Sequence, residues 1–306
     1  MVMGLLFWMW LRKRKMRSKE AYFDYLNQRL DSGESKNVAI YATVESIERQ
    51  LQNKERIKVL DVGCFSGAML NRIFRELSEE SQVRIDLFGI DSDIEATEHG
   101  RKKYGNIEYW QVNIEDGLDM EGKFDIVMLV NVLHELFPKT NLDARKKKIS
   151  EVFLDVASLL SDGGEIILLD GLRPDNPNQI VEVTLTSDEW IDRFEKLGNE
   201  YAVAELFVQR IGDRQIRTDV LGLAIFITKA RYVNEDYWES EAQQLYQYYN
   251  HNDFIRLVQD AGLELVRFEP QPLKSEIWKE MIDKVNPDGV FPAKNVLIVA
   301  RKSIRC

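Results

Sequence analysis

IKVLDVG at residues 57–63, running on into Cys64-Phe65-Ser66-Gly67, decides how the rest of the chain is read. It is a short β-rich run that ends at glycine, and a helical pattern follows it over Ala68–Leu77. The same rhythm continues downstream. DLFGID (86–91), IEYWQV (107–112), FDIVMLVNV (124–132) and GGEIILLDG (163–171) are four more strand-like runs. Helical patterns over Ile94–Tyr104 and Arg145–Leu160 lie among them. Strands alternating with helices predict a parallel sheet flanked by helices. The unbroken apolar runs of the fourth and fifth strands fit strands covered on both faces.

After Gly171 the alternation stops for far longer than the ~10–12 residues of a plain crossover. It resumes with a helix over Asn252–Ala261, then LELVRFEP (263–270) and NVLIVARK (295–302). Residues 172–250 therefore read as an insertion with structure of its own, for substrate binding or contact between two copies. It carries an amphipathic stretch Ser187–Leu197, an apolar stretch Val220–Ile227, and the aromatic group Tyr232, Tyr237, Trp238, Tyr246, Tyr248 and Tyr249. Upstream, residues 20–34 and 37–52 are helical in pattern, and 20–56 reads as a cover for the site. Residues 57–171 and 251–306 form the core domain.

The chain has 306 residues, 44% of them hydrophobic, 30% charged and only 7 proline, which excludes wholesale disorder. Two cysteines, Cys64 and Cys306, exclude a disulfide scaffold or a Cys-rich zinc site and suit a reducing cytoplasm. No metal site is expected. Net charge is -10, but residues 1–20 carry six basic residues against Glu20, a local +5, leaving -15 for the remainder. So acidic a body repels phosphate backbones, and nucleic acid is not the expected partner. Residues 1–11, MVMGLLFWMWL, are too short for the ~20 apolar residues of a spanning helix. Followed by RKRKMR, they could rest on an anionic membrane face or be a tail outside the fold.

In a parallel sheet, ligands sit beyond the carboxyl ends of the strands. The first strand leaves through Asp61, Gly63, Cys64 and Gly67, a turn whose glycines admit a ligand close to the backbone. The helix after it aims its amide groups at whatever binds there. Phe65 stands where a dinucleotide fingerprint would want its middle glycine. The second strand ends in Asp91-Ser92, placed so that Asp91 could accept from both hydroxyls of a ribose, with Asp93 as competitor. At the third, Asn113 could read an adenine edge and Ile114 pack on the ring, or the pair could be turn chemistry. The fourth leaves through Asn131, His134 and Glu135, and His134 suits proton transfer near neutrality or a buried structural role. Asp170 and Arg173 close the fifth, where they could meet a polar substrate or hold a loop.

VLDVGCFSG, FGID, VNIEDG, FDIVMLVNVLHEL and LLSDGGEIILLD, in this order, resemble the motifs of the class I S-adenosylmethionine-dependent methyltransferases. The closing NHNDFIRLVQDAGLELVRFEP and NVLIVARK are similar to the family's last helix and terminal hairpin. The resemblance implies an α/β, Rossmann-like, doubly wound sheet of seven strands with the last antiparallel, and S-adenosylmethionine as cofactor. It also implies that Asp61, Gly63 and Gly67 surround the methionine end, with Cys64 in the same loop. Asp91 and Ser92 would lie at the ribose, Asn113 and Ile114 at the adenine, and Asn131 near the sulfonium. Phe65 departs from the commoner glycine. The reading is methyl transfer to an oxygen, or to nitrogen or carbon, of a small and partly apolar molecule, with His134 and Glu135 as candidate bases. The rivals are a lipid or membrane-held acceptor, a nucleotide-dependent oxidoreductase, and a non-catalytic binding protein.

Overall fold

The computed structural model describes residues 36–118, 120, 122–136, 142–235, 238–272 and 275–304. The basic segment 1–19 and the helix read over 20–34, with Tyr22, Phe23 and Tyr25, lie outside the described residues, as does Tyr237.

Five strands, β1 (Ile57–Val62), β2 (Ile85–Asp91), β3 (Ile107–Gln111), β4 (Phe124–Val130) and β5 (Leu160–Gly171), pair in parallel in the order β3-β2-β1-β4-β5. The other seven-stranded-sheet members are β9 (Leu263–Pro272) and β11 (Ala293–Lys302), which complete the order as β5-β11-β9. β11 is antiparallel to both neighbours, as the resemblance implied. β1 and β4 are central because they are apolar on both sides. In β4, Val127 and Leu129 join one core and Ile126, Met128 and Val130 the other.

Helices close both faces. α1 (Asn37–Leu51) and α2 (Ala68–Glu76) supply Ile40, Ile47, Leu70 and Ile73 to one face. α4 (Leu142–Ser158) and α7 (His251–Asp260) supply Phe153, Val156, Phe254 and Leu257 to the other. Between them in sequence, α3 (Ile94–Lys103) packs on β2 and β3. α1 packs on β1, β4, β5 and β11. Ser46 and Arg49 on it, and Arg301 on β11, all donate to the buried Glu165 of β5. One carboxylate thus ties three elements, and the bonds from two guanidinium groups and a hydroxyl compensate its burial.

The insertion builds a second sheet from β6 (Ile180–Leu185), β7 (Val208–Gly212) and β8 (Gln215–Asp219). Its fourth strand, β10 (Ile282–Asn286), comes from the stretch between β9 and β11, giving the order β10-β6-β8-β7, all antiparallel. The sequence reading left 271–294 without a strand. With only Ile282 and Val285 apolar, this edge strand carries too little alternation to announce itself. α5 (Asp188–Glu200) and α6 (Val220–Lys229) pack on this sheet. All ten residues of α6 are buried, as expected of a helix apolar all round, and it touches α5, β8 and β11. Within this second core Phe226 stacks on Phe194, ring centroids 4.1 Å apart. No helix of the described residues is long and apolar enough to cross a membrane.

Truncating Phe226 empties the contact between α5 and α6. Phe226→Ala is expected to destabilise the protein by about 3–5 kcal/mol. Denaturant unfolding checks this, and a loss below about 0.5 kcal/mol, the level of a surface substitution, would show that the second core does not depend on that stack.

Candidate active site

The carboxyl ends of β1, β2, β4 and β5 open on the same edge, and the turn after β1 shapes its centre. Gly63, Phe65 and Gly67 adopt φ of 74°, 51° and 77°. A side chain at Gly67 would place its Cβ 2.3 Å from the Tyr109 hydroxyl, so only glycine fits. Tyr109 on β3 in turn donates to the Ser66 carbonyl at 2.8 Å and props the turn from beneath, where burial raises its pKa. The Gly63 and Cys64 amides donate to the Ile90 carbonyl at 2.9 and 3.0 Å. Cys64 is buried in the α1 and α2 side of the core, its thiol pushed up by that burial first and by Asp61 and Asp91 next.

Two carboxylates flank the turn. Asp61 is 1% exposed, and its Oδ2 has no hydrogen-bond partner among the described residues. Burial pushes its pKa up to about 7, against the pull of Lys36 and with a smaller contribution from Asp91. Asp91 accepts the Phe65 amide on Oδ2 at 2.7 Å and the Asp93 amide on Oδ1 at 2.9 Å. Burial still wins over those bonds and raises Asp91 to about 6. The competitor, Asp93, is used elsewhere: it caps α3 by accepting from the Glu95 and Ala96 amides. Ser92 is exposed between them.

At β3, Asn113 accepts from the Glu115 amide at 3.2 Å and donates to Asp116 at 3.1 Å, holding the turn that follows. Ile114 is 9% exposed and belongs to the core.

The exits of β4 and β5 are locked together by Asp170, which has no exposed surface. Its Oδ2 accepts the Leu133 amide at 2.9 Å and the His134 amide at 3.3 Å. Its Oδ1 accepts the Gly171 amide at 2.7 Å and lies 2.8 Å from His134 Nδ1. That pairing assigns the ring proton to Nδ1 and leaves Nε2 as the acceptor, 4.0 Å from Glu135 Oε1. His134 is buried and Glu135 is exposed. Asn131, at φ 58°, accepts from the Tyr246 hydroxyl at 2.8 Å. The Tyr246 ring packs on His134, centroids 4.3 Å apart, and burial raises its pKa.

Asp61, Asp91, Asn131, His134 and Glu135 thus gather at one sheet edge. Asp170, which the sequence offered as a substrate contact or a loop residue, joins them, as do Tyr109 and Tyr246, which sequence reasoning had not put in the site. Asp170 was visible as the acid closing the fifth strand. Tyr246 was one aromatic among several, and Tyr109 gave no signal.

A family model described as "Methyltransferase domain" matches residues 37–267. Among curated proteins, "Putative methyltransferase 235L" of Invertebrate iridescent virus 6 is 21% identical over 150 residues, 49% of this chain and 51% of that one. The chain thus spans about half the length of that curated relative. Among solved structures, an S-adenosylmethionine dependent methyltransferase from Mesorhizobium loti is 11% identical with a TM-score of 0.51, covering 89% of this chain and 99% of that one. The CurJ carbon methyltransferase is 13% identical with a TM-score of 0.50, covering 91% and 57%. At such identities these structures speak to the fold, while the family model spans most of the sequence from α1 into β9. The chain therefore belongs to the methyltransferase-domain family.

Proposed function

We propose that the protein methylates a hydroxyl group of a small, partly apolar molecule, with His134 as the base. The observation that carries this reading is the buried Asp170–His134 pair at the exits of β4 and β5, beside the two acids at the exits of β1 and β2.

The residues present fit the cofactor. Asp61 Oδ2, buried and without a hydrogen-bond partner among the described residues, calls for a donor, which the ammonium of the methionine end offers. Asp61, Gly63 and Gly67 would hold that end, and Asp91 the ribose. Asn113 and Ile114 would shape the adenine side, and Asn131 would lie toward the reacting centre. S-adenosylmethionine supplies an activated methyl group, so the protein's task is alignment, which can contribute about 7–11 kcal/mol. A hydroxyl must also lose its proton. His134 Nε2 takes it, and Asp170 stabilises the resulting imidazolium through Nδ1. The exposed Glu135 then stands between the ring and water. An amine free of its proton would need no such pair, and so the site favours oxygen. Tyr246 over the ring provides the apolar wall.

Incubating the protein with methyl-labelled S-adenosylmethionine and a cell extract tests the reading. The label is expected on the oxygen of a small molecule by mass spectrometry. Label confined to protein or nucleic acid, or none at all, rejects it. His134→Gln is expected to slow that transfer on the order of 10²–10⁴-fold with little change in S-adenosylhomocysteine affinity. An undiminished rate would leave His134 a structural residue.

Asp91→Asn should weaken S-adenosylmethionine binding by about 1.5–3 kcal/mol in calorimetry, since hydrogen bonds to a charged acceptor become bonds to a neutral one. Equal affinity in the folded variant removes the ribose role.

The two acids also set a pH dependence. Raised values near 7 for Asp61 and near 6 for Asp91 mean that the free protein holds protons there. In the free protein these raised values favour folding at low pH, and that contribution is lost as pH rises through about 6 and then about 7. A bound cation and ribose hydroxyls favour the ionised forms, so binding releases protons below pH about 7. Affinity should therefore climb between about pH 5 and about pH 8 and then level off. Calorimetry in buffers of different ionisation enthalpy reads the proton release. A flat profile would show that neither acid faces the ligand.

A further inference from the structure

The contact between Tyr246 and the strand ends is built from three sides. The Tyr246 hydroxyl donates to Asn131 Oδ1 at 2.8 Å, its ring lies against His134, and its main chain is pressed on β5. A Cβ at Gly171 would sit 2.1 Å from the Tyr246 carbonyl oxygen, so the two backbones are in contact with no room for a side chain. The next residues keep the strand company: Leu172 bridges Tyr249, and the Arg173 amide donates to the Tyr249 carbonyl at 2.7 Å. Tyr246 is buried and belongs to the insertion, while every other residue of the candidate site belongs to the core.

An amide side chain has two distinguishable ends. With its oxygen committed to Tyr246, Asn131 turns its N–H donors the other way. A freely rotating amide would present either end. Asn131 leaves β4 in the left-handed region, its own amide anchored on the Leu169 carbonyl at 2.8 Å, so its backbone is fixed and the side chain is the remaining freedom.

From this we propose that Tyr246 is a positioning residue for methyl transfer, fixing the Asn131 amide and walling the His134 ring, so that the insertion completes the site. The inference rests on the methyltransferase reading above and adds a working role for the stretch between β5 and β9.

Tyr246→Phe keeps the ring and deletes the bond to Asn131. The expected result is about a tenfold fall in the rate of label transfer to cell extract, the size of one hydrogen bond lost from the reacting geometry. S-adenosylhomocysteine affinity, the KM for S-adenosylmethionine and the melting temperature should stay close to those of the wild type. The Asn131 side-chain amide resonance should move in a nitrogen–proton NMR spectrum. Asn131→Gly, which tolerates the left-handed backbone, should be slow as well, and adding Tyr246→Phe to it should slow it no further. An unmoved Asn131 resonance, a wild-type rate, or additive losses in the double variant would each overturn the proposal. If the wild type neither binds S-adenosylhomocysteine nor transfers label, the methyltransferase reading fails instead. In that case the Asn131 resonance still decides whether Tyr246 sets the amide.

Discussion

A carboxylate with no access to water must be satisfied by the protein or remain protonated, and Asp170 is satisfied four times over. Three backbone amides and one imidazole converge on it, two of the amides from the exit of β4 and one from its own neighbour on β5. The arrangement forces the residues after β4 into the short turn that carries His134 and Glu135. It also fixes the imidazole tautomer, because a ring nitrogen beside a buried carboxylate keeps its proton. The edge of the sheet where the chemistry is placed depends on this one group. Without it, neither the loop after β4 nor the face of the His134 ring would have a defined position.

Acids predominate at that edge, with Lys36 opposing them at Asp61. Asp61, Asp91, Asp170 and Glu135 meet within a protein whose net charge is already -10, and burial makes the first two costly to ionise. Such a pocket is unfavourable as it stands and favourable with a cation inside it.

The central strands, the order of motifs and the glycine turn were legible because each depends on residues close together in sequence. β1, β4 and β5 are apolar runs ended by Gly63, Asn131 and Gly171, and no tertiary information is needed to recognise them. The parts that were not legible depend on pairs far apart in the chain. His134 and Asp170 are separated by 36 residues, and Tyr246 and Asn131 by 115. No local pattern joins them. Asn113 was legible as a polar residue after a strand, but only the structure shows its amide engaged with Glu115 and Asp116. β10 was illegible for a different reason: it owes its conformation to β6, its hydrogen-bonded neighbour, and to burial of Ile282 in a core built by another stretch of chain.

That borrowed strand has a consequence for assembly. β6, β7 and β8 are synthesised well before residues 282–286, and the second sheet must keep the β6 edge open until β10 arrives. β11, which fills the gap between β5 and β9, comes later still. The two sheets are therefore laced through one another and close together, with residues 263–302 serving as the stitch. Pairings of such large sequence separation are slow to form and leave strand edges bare meanwhile. A newly made chain would be most vulnerable to aggregation in the interval before its last hairpin is complete.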